Sequence, residues 1–149
     1  MVSVGIWGAI LGQPLIVLLP VIFPAVMAIG GVLAIAGVPL PPVEIGIAAS
    51  VFVLGAMIAL AVRPPVWLAC AIVAVFAIFH GYAHGAELPS AADPVGYSAG
   101  FVLATGLLHL AGIGFGTLAR HRHGMFVIRA TGALIAAAGA GFFARAVTA

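Results

Sequence analysis

Residues 66–86 of the chain read VWLACAIVAVFAIFHGYAHGA, an uncharged and mostly apolar run. A helix that crosses the hydrocarbon core of a membrane needs about 20 such residues. The rest of the chain suits the same solvent, because 65% of its 149 residues are hydrophobic and only 5% are charged. Soluble domains carry about 25% charged residues. The sequence therefore predicts an integral membrane protein.

Proline, glycine and arginine divide the remaining chain into similar apolar segments. The predicted full spans are residues 15–36, 45–62, 66–86, 95–119 and 125–147, and residues 1–11 form a run of about half that length. An open strand cannot leave its edge unpaired in lipid, so we expect all of these segments to be helices. The predicted fold is one all-α domain over residues 1–149, a polytopic membrane bundle of five full transmembrane helices plus a truncated first helix.

The placement of arginine predicts the orientation of the bundle. Four of the five arginines fall on one side, namely Arg63, Arg120, Arg122 and Arg129. Arg145 falls on the other side, with the acidic residues Glu44, Glu87 and Asp93. Because cytoplasmic loops carry the excess of basic residues, the arginine-rich side is predicted to be cytoplasmic. The carboxyl end is then expected on the outer, periplasmic side of a bacterial inner membrane. The scattered arginines form no basic face, so nucleic acid is not expected as a partner.

Two histidines and a glutamate lie at helical spacing near the end of the 66–86 run. His80, His84 and Glu87 occupy positions i, i+4 and i+7, which share one face of a helix. Imidazole and carboxylate groups suit nickel, cobalt, zinc or iron. Ionisable groups inside membrane spans are costly and usually functional. The spacing predicts a metal site; the alternative is that the histidines cap the helix end and Glu87 is simply hydrated.

Two further residues are candidates for a metal path. His109 lies near the middle of the 95–119 span, on a stripe of small and polar residues that should face the bundle. It would complete a site with His80 or relay ions further in, and the alternative is an interhelical hydrogen bond. Glu44 begins the 45–62 span, where an acidic residue suits the positive end of the helix dipole. We expect this capping role for Glu44, with a ligand at the entry site as the alternative.

The string FHGYAHGAE at residues 79–87 resembles the fourth-span motif of the HupE/UreJ family of nickel and cobalt permeases, which are associated with hydrogenase and urease maturation. The resemblance to the family extends to residues 37–41, 44–50, 100–105 and 109–114, so it covers essentially the whole chain. It implies a small permease with six spans and an outward amino end. The family motif carries over onto His80, His84 and Glu87, and His109 falls in the matching part of the fifth span.

The resemblance departs from the family at the amino end. The family's first span carries a second motif, HPxxGxDHxLAM, and Met1 aligns with the end of that motif. We therefore expect the sequence to be a fragment or mis-started product of a longer protein, or a degenerate member of the family. In each case part of the metal path is expected to be absent.

The predicted function is transport of Ni²⁺ or Co²⁺ across the cytoplasmic membrane, along a path lined by His80, His84, Glu87, His109 and Glu44. The expected partners are the divalent ion and the lipid bilayer, and a homo-oligomer is left open. We expect no tightly bound cofactor and no enzymatic activity. The main alternative is a haem-binding electron-transfer protein with histidines as axial iron ligands. A membrane zinc enzyme is a weaker alternative, because no general base beyond the zinc ligands is evident.

Overall fold

A computed structural model of the protein describes residues 1–40, 42–87 and 94–148. These residues form six α-helices and one short 3-10 helix, with no strand among them. In chain order the elements are α1 (Val2–Leu11), α2 (Leu15–Ile35), α3 (Val43–Ala59), α4 (Val66–Ala86), α5 (Pro94–Gly116), the 3-10 helix (Thr117–Arg120) and α6 (Gly124–Thr148). The prediction of an all-helical chain is confirmed, and each predicted segment is found as a helix.

The lengths of the helices decide which of them are clear membrane spans. Four are long and apolar enough to cross a membrane, namely α2, α4, α6 and α5 with its 3-10 extension. α3 has 17 residues and α1 has 10. At about 1.5 Å per residue, α3 is about 25 Å long, whereas the hydrocarbon core is about 30 Å thick. The described residues therefore support a multi-pass membrane protein with four helices long enough to span, and the predicted count of five full spans is not confirmed.

The helices pack in three close pairs: α1 with α5, α2 with α4, and α3 with α6. Glycines make each approach possible, because an added Cβ would collide with the backbone of the partner helix. The glycines concerned are Gly5 and Gly112, Gly30 and Gly81, and Gly55 and Gly132. Association of helices in lipid depends on such close contact, since there is no hydrophobic driving force between them.

Two ends of the bundle can be distinguished by the direction of the helices. Met27 meets Gly81 and Gly31 meets Gly85, so α2 and α4 run parallel. Successive helices reverse direction, and α2, α4 and α6 therefore finish at the end where α1, α3 and α5 begin. We call this the Glu87 end and the opposite one the Arg63 end.

Side-chain donors complete the Arg63 end of α3. Helix carboxyl ends leave carbonyl groups without helical partners. Arg129 Nε donates to the carbonyl of Ala59 at 2.7 Å, and buried Trp7 donates from Nε1 to the carbonyl of Val62 at 3.1 Å. The first bond lies within the α3–α6 pair, and the second joins α1 to the segment that follows α3, at the end opposite the histidines.

Candidate metal-binding site

α4 carries His80 and His84 on successive turns, as the spacing predicts. The Nδ1 atom of His80 lies 2.9 Å from the carbonyl oxygen of Phe76, one turn earlier. Because a carbonyl oxygen only accepts, this bond requires a proton on Nδ1 and leaves Nε2 with a free lone pair. Neutral imidazole held in this way by its other nitrogen is the form that binds metal ions. His80 is thus chemically prepared as a ligand through Nε2.

His84 lies nearer the Glu87 end and faces α5. Its Nδ1 is 3.4 Å from the hydroxyl of Tyr97, and its ring lies 4.4 Å from the ring of Phe101 at an angle of 55°. Tyr97 and Phe101 stack on each other with their ring planes only 7° apart. The half-buried His84 also lines a cavity of about 280 Å³ between α2, α4 and α5. The walls of this cavity are mostly apolar, so the imidazole and the tyrosine hydroxyl are its main polar groups.

His109 is buried on α5, with 2% of its surface exposed. Neither Nδ1 nor Nε2 has a hydrogen-bond partner in the part of the chain that the structure describes. The interhelical hydrogen bond considered as an alternative for this residue is therefore not found there. A buried polar group without a partner costs roughly 1–3 kcal/mol. In the neutral ring one nitrogen carries a proton that can be donated to water, and the other has a lone pair free for water or an ion.

Phe23 of α2 links the half-buried His80 to the buried His109. Its ring contacts His80 at 5.5 Å and His109 at 5.4 Å between centroids, in both cases edge to face. Phe23 is itself buried, and it lies between Pro20 and Pro24 within α2. It is not among the residues predicted from the sequence, because a phenylalanine in an apolar span has no distinguishing pattern. The prolines on either side are the only feature of the sequence that could have drawn attention to Phe23.

The two candidate glutamates lie apart from this aromatic contact. Glu87 is the exposed residue that follows α4, and Glu44 is exposed in the first turn of α3. Glu44 lines a separate cleft of about 410 Å³ between α3 and α6, with Arg145 on the opposite helix. Its position at a helix amino end fits the capping role. Its neighbour across the cleft is a guanidinium group rather than one of the histidines.

Within residues 1–40, 42–87 and 94–148, no three His, Cys, Asp or Glu side chains lie close enough together to hold a metal ion. The structure places His80 and His109 on one phenylalanine ring, and it places His84 against α5. It does not bring the five predicted residues into one cluster. Their assignment as metal ligands stays a prediction, and Asp93 lies outside the described residues.

Comparison with known proteins identifies the family. A family model described as HupE / UreJ protein matches residues 1–142. Protein HupE of Rhizobium leguminosarum bv. viciae is 44% identical to the chain over 140 residues, which cover 94% of this chain and 73% of that protein. No solved structure matches the chain. Both matches extend over nearly all six helices, including the His80–Glu87 string of α4, and the chain therefore belongs to the HupE/UreJ family.

Proposed function

We propose that this protein provides a path for Ni²⁺ or Co²⁺ across the cytoplasmic membrane. The observation that carries the proposal is the pair of neutral imidazoles at Phe23. His80 presents a free Nε2, and the buried His109 has no partner at either nitrogen among the described residues. Imidazole nitrogen is a strong ligand for both metals. Ionisable side chains in a membrane bundle mark ion pathways more often than they serve packing.

The proposed path begins at the Glu87 end. A hydrated ion passes the exposed Glu87 and enters the 280 Å³ cavity, where His84 replaces part of its water shell. It passes to His80 and then to His109, whose rings share the neighbour Phe23. Conduction requires binding that is strong enough to admit the ion and weak enough to release it. Few protein ligands at each step, with residual water, meet this requirement better than a closed four-ligand cage.

The proposed topology places the Glu87 end outside the cell. We propose five full spans and a shorter α1, because the 17 residues of α3 reach the lower limit of about 17 residues for a spanning helix. The basic residues of the Arg63 end, Arg63, Arg120, Arg122 and Arg129, then face the cytoplasm. α6 finishes on the periplasmic side of the inner membrane. Whether several copies assemble is left open.

Uptake of radiolabelled nickel and cobalt tests the proposal in cells that express the chain. We expect His80→Ala and His84→Ala each to reduce uptake at least tenfold, because loss of a single partner around a metal typically costs 10–100-fold in affinity or activity. His123→Ala is the matched control, since His123 is exposed in the turn before α6. Equal uptake by the unmodified protein and both variants would reject the path.

The absorption spectrum of the purified protein separates this function from haem binding. Axial ligation of haem iron by two histidines gives a Soret band, whereas a nickel or cobalt path gives none. A Soret band that disappears in His80→Ala and His109→Ala would replace the transport proposal with the electron-transfer alternative.

A further inference from the structure

The contacts between α1 and α5 are repeated between α4 and α2. A Cβ at Gly5 of α1 would collide with the carbonyl of His109 on α5. A Cβ at Gly81 of α4 would collide in the same way with the carbonyl of Met27 on α2. Gly5 and Gly81 therefore occupy equivalent places in the two helix pairs, and so do His109 and Met27.

The reciprocal contacts follow the same register. A Cβ at Gly112 would meet the carbonyl of Val2 and the amide nitrogen of Ile6. The glycine at the equivalent place in α2 is Gly30, which would meet the carbonyl of Ile78 and the amide nitrogen of Tyr82. Val2 precedes Gly5 by the same number of residues as Ile78 precedes Gly81. Two helix pairs thus agree residue by residue, not only in overall arrangement.

In the α3–α6 pair, the two helices are equivalent to each other. Gly55 meets the amide nitrogen of Ala136, and Gly132 meets that of Ala59, so the contact is the same when read from either helix. The local sequences also agree, because residues 55–59 read GAMIA and residues 132–136 read GALIA. This is the geometry expected where a two-fold axis passes between Gly55 and Gly132.

These correspondences relate α1, α2 and α3 to α4, α5 and α6, with the two halves pointing in opposite directions. An axis of this kind lies in the membrane plane. Inverted repeats of this type are common in secondary transporters, where one half rocks against the other and exposes a fixed site to alternate sides. We call two residues counterparts when they occupy equivalent places in the two halves.

The two halves differ in the contact between their first two helices. At the Arg63 end α2 closes on α1: the backbone of Leu15 and Ile16 approaches Gly8 so closely that an added Cβ would lie at 3.3–3.4 Å, and Leu15 and Leu19 are buried. The counterparts of Leu15 and Leu19 are Tyr97 and Phe101. Both are half-buried, and both line the 280 Å³ cavity. Among the described residues, α2 therefore packs closely on α1 at the Arg63 end, whereas a cavity separates α5 from α2 and α4 at the Glu87 end.

We infer that the protein has a second conformation in which the two halves exchange these arrangements. α5 then moves closer to α4, beyond the present contacts of Tyr97 and Phe101 with His84, and α2 moves away from α1 at the Arg63 end. Met27 lines the present cavity, and its counterpart is His109. In the exchanged conformation the unpartnered imidazole of His109 therefore borders a cavity that opens toward the Arg63 end. This inference rests on the proposed transport function, and it supplies the step that releases the ion.

The short connection between α1 and α2 permits this movement. Leu11 and Leu15 are joined through Gly12, Gln13 and Pro14, a connection that extends to about 13 Å at roughly 3.3 Å per residue. Packed helix axes lie about 8–10 Å apart. The turn therefore allows α2 to separate from α1 by several ångströms without loss of helix.

Two spin-label distances in nanodiscs test the exchange. The protein has one cysteine, Cys70, which is first replaced by alanine. One label pair is Val17 with Leu60 at the Arg63 end, and the counterpart pair is Ala99 with Ala137 at the Glu87 end. All four positions are exposed, so labels there do not disturb packing. We expect each pair to show two distances, with the major distance of one pair appearing as the minor distance of the other.

Substitutions that favour the second conformation should change the distances of both label pairs together. Leu19→Ala removes packing at the closed contact, and we expect it to raise the minor component at least threefold in both pairs. Val21→Ala is the matched control, because Val21 is an exposed residue of the same helix. A second variant, Tyr97→Leu with Phe101→Leu, gives α5 the side chains that α2 has at Leu15 and Leu19. This double substitution changes half-buried residues only, so it provides the test if Leu19→Ala does not fold. We expect it to raise the same minor component.

Independent changes of the two distances, or no change in either with the folded variants, would overturn the exchange. The distances are measured without metal, so their outcome is separate from nickel and cobalt uptake. Exchange without uptake would reject the proposed cargo and keep the inverted-repeat movement. Uptake without exchange would keep the path and reject the movement.

Discussion

Replacement of His109 by leucine is expected to make the protein more stable and unable to transport. The imidazole is buried, and nothing in residues 1–40, 42–87 and 94–148 hydrogen-bonds to its nitrogens. Leucine has a similar volume without polar atoms. A buried polar group without a partner costs roughly 1–3 kcal/mol. His109→Leu should therefore raise the free energy of unfolding by about 1–3 kcal/mol, because it removes this cost and keeps the contact with Phe23.

Reversible unfolding of the purified protein in mixed micelles of a mild detergent and SDS measures this change. His123→Leu is the control, since His123 is exposed, and surface substitutions usually stay within about 0.5 kcal/mol. Nickel uptake measured on the same variants should fall only for His109→Leu. A loss of stability of about 1 kcal/mol or more in His109→Leu would refute the reasoning, because it would mean that the nitrogens are hydrogen-bonded in the native protein and are not free for an ion.

Two other substitutions test the packing that positions the histidines. Gly81→Ala should destabilise the protein by about 1–3 kcal/mol, because its Cβ would lie 2.8 Å from the Cα of Met27 and α2 would have to move away from α4. Gly106→Ala has open space around its Cβ and should instead stabilise the helix by about 0.5–1 kcal/mol; equal effects of the two in the SDS titration would contradict the close approach. Arg129→Met removes the donor to the α3 carboxyl end and should cost about 1 kcal/mol, whereas Arg122→Met at an exposed position should change stability by less than about 0.5 kcal/mol. No difference between these two arginine variants in the same titration would show that the bond to α3 does not contribute.

The location of the site within one half of an inverted repeat has a consequence for ion binding. The counterpart of His80 is Val4 and that of His84 is Gly8, so the first half carries no imidazoles at the equivalent places. A symmetric movement therefore does not create a second, identical site. On the proposed path the ion meets His84 from one end and His109 from the other, so the two proposed steps use different ligands. This difference allows entry and release to have different affinities.

Part of the site was predictable from local sequence. The spacing of His80 and His84 placed both on one helix, and α4 contains both on successive turns. Glu44 was expected to suit a helix amino end, and it lies in the first turn of α3. Neither inference needed tertiary structure, because helical spacing and the helix dipole are properties of a single segment.

Other features depended on contacts between distant segments. The ring of Phe23 touches two histidines that lie on α4 and α5, and no pattern within α2 announces this. Glu44 lies across a cleft from Arg145 at the far end of the chain. Helix length also differed from the apolar run at α3, where the helix ends at Ala59 before the run does.

The amino-acid sequence by itself determined that the chain lies in lipid, that it forms helices, and which chemical groups are available as candidate ligands. A chain with so few charges has to be embedded in lipid, and a backbone in lipid has to satisfy its hydrogen bonds within helices. Only the tertiary structure decided which helices pair, which imidazole is left without a partner, and that the two halves repeat in opposite directions. The physical reason is that helix pairing in lipid depends on where two backbones can approach most closely, and each approach is made jointly by glycines and carbonyls far apart in the chain.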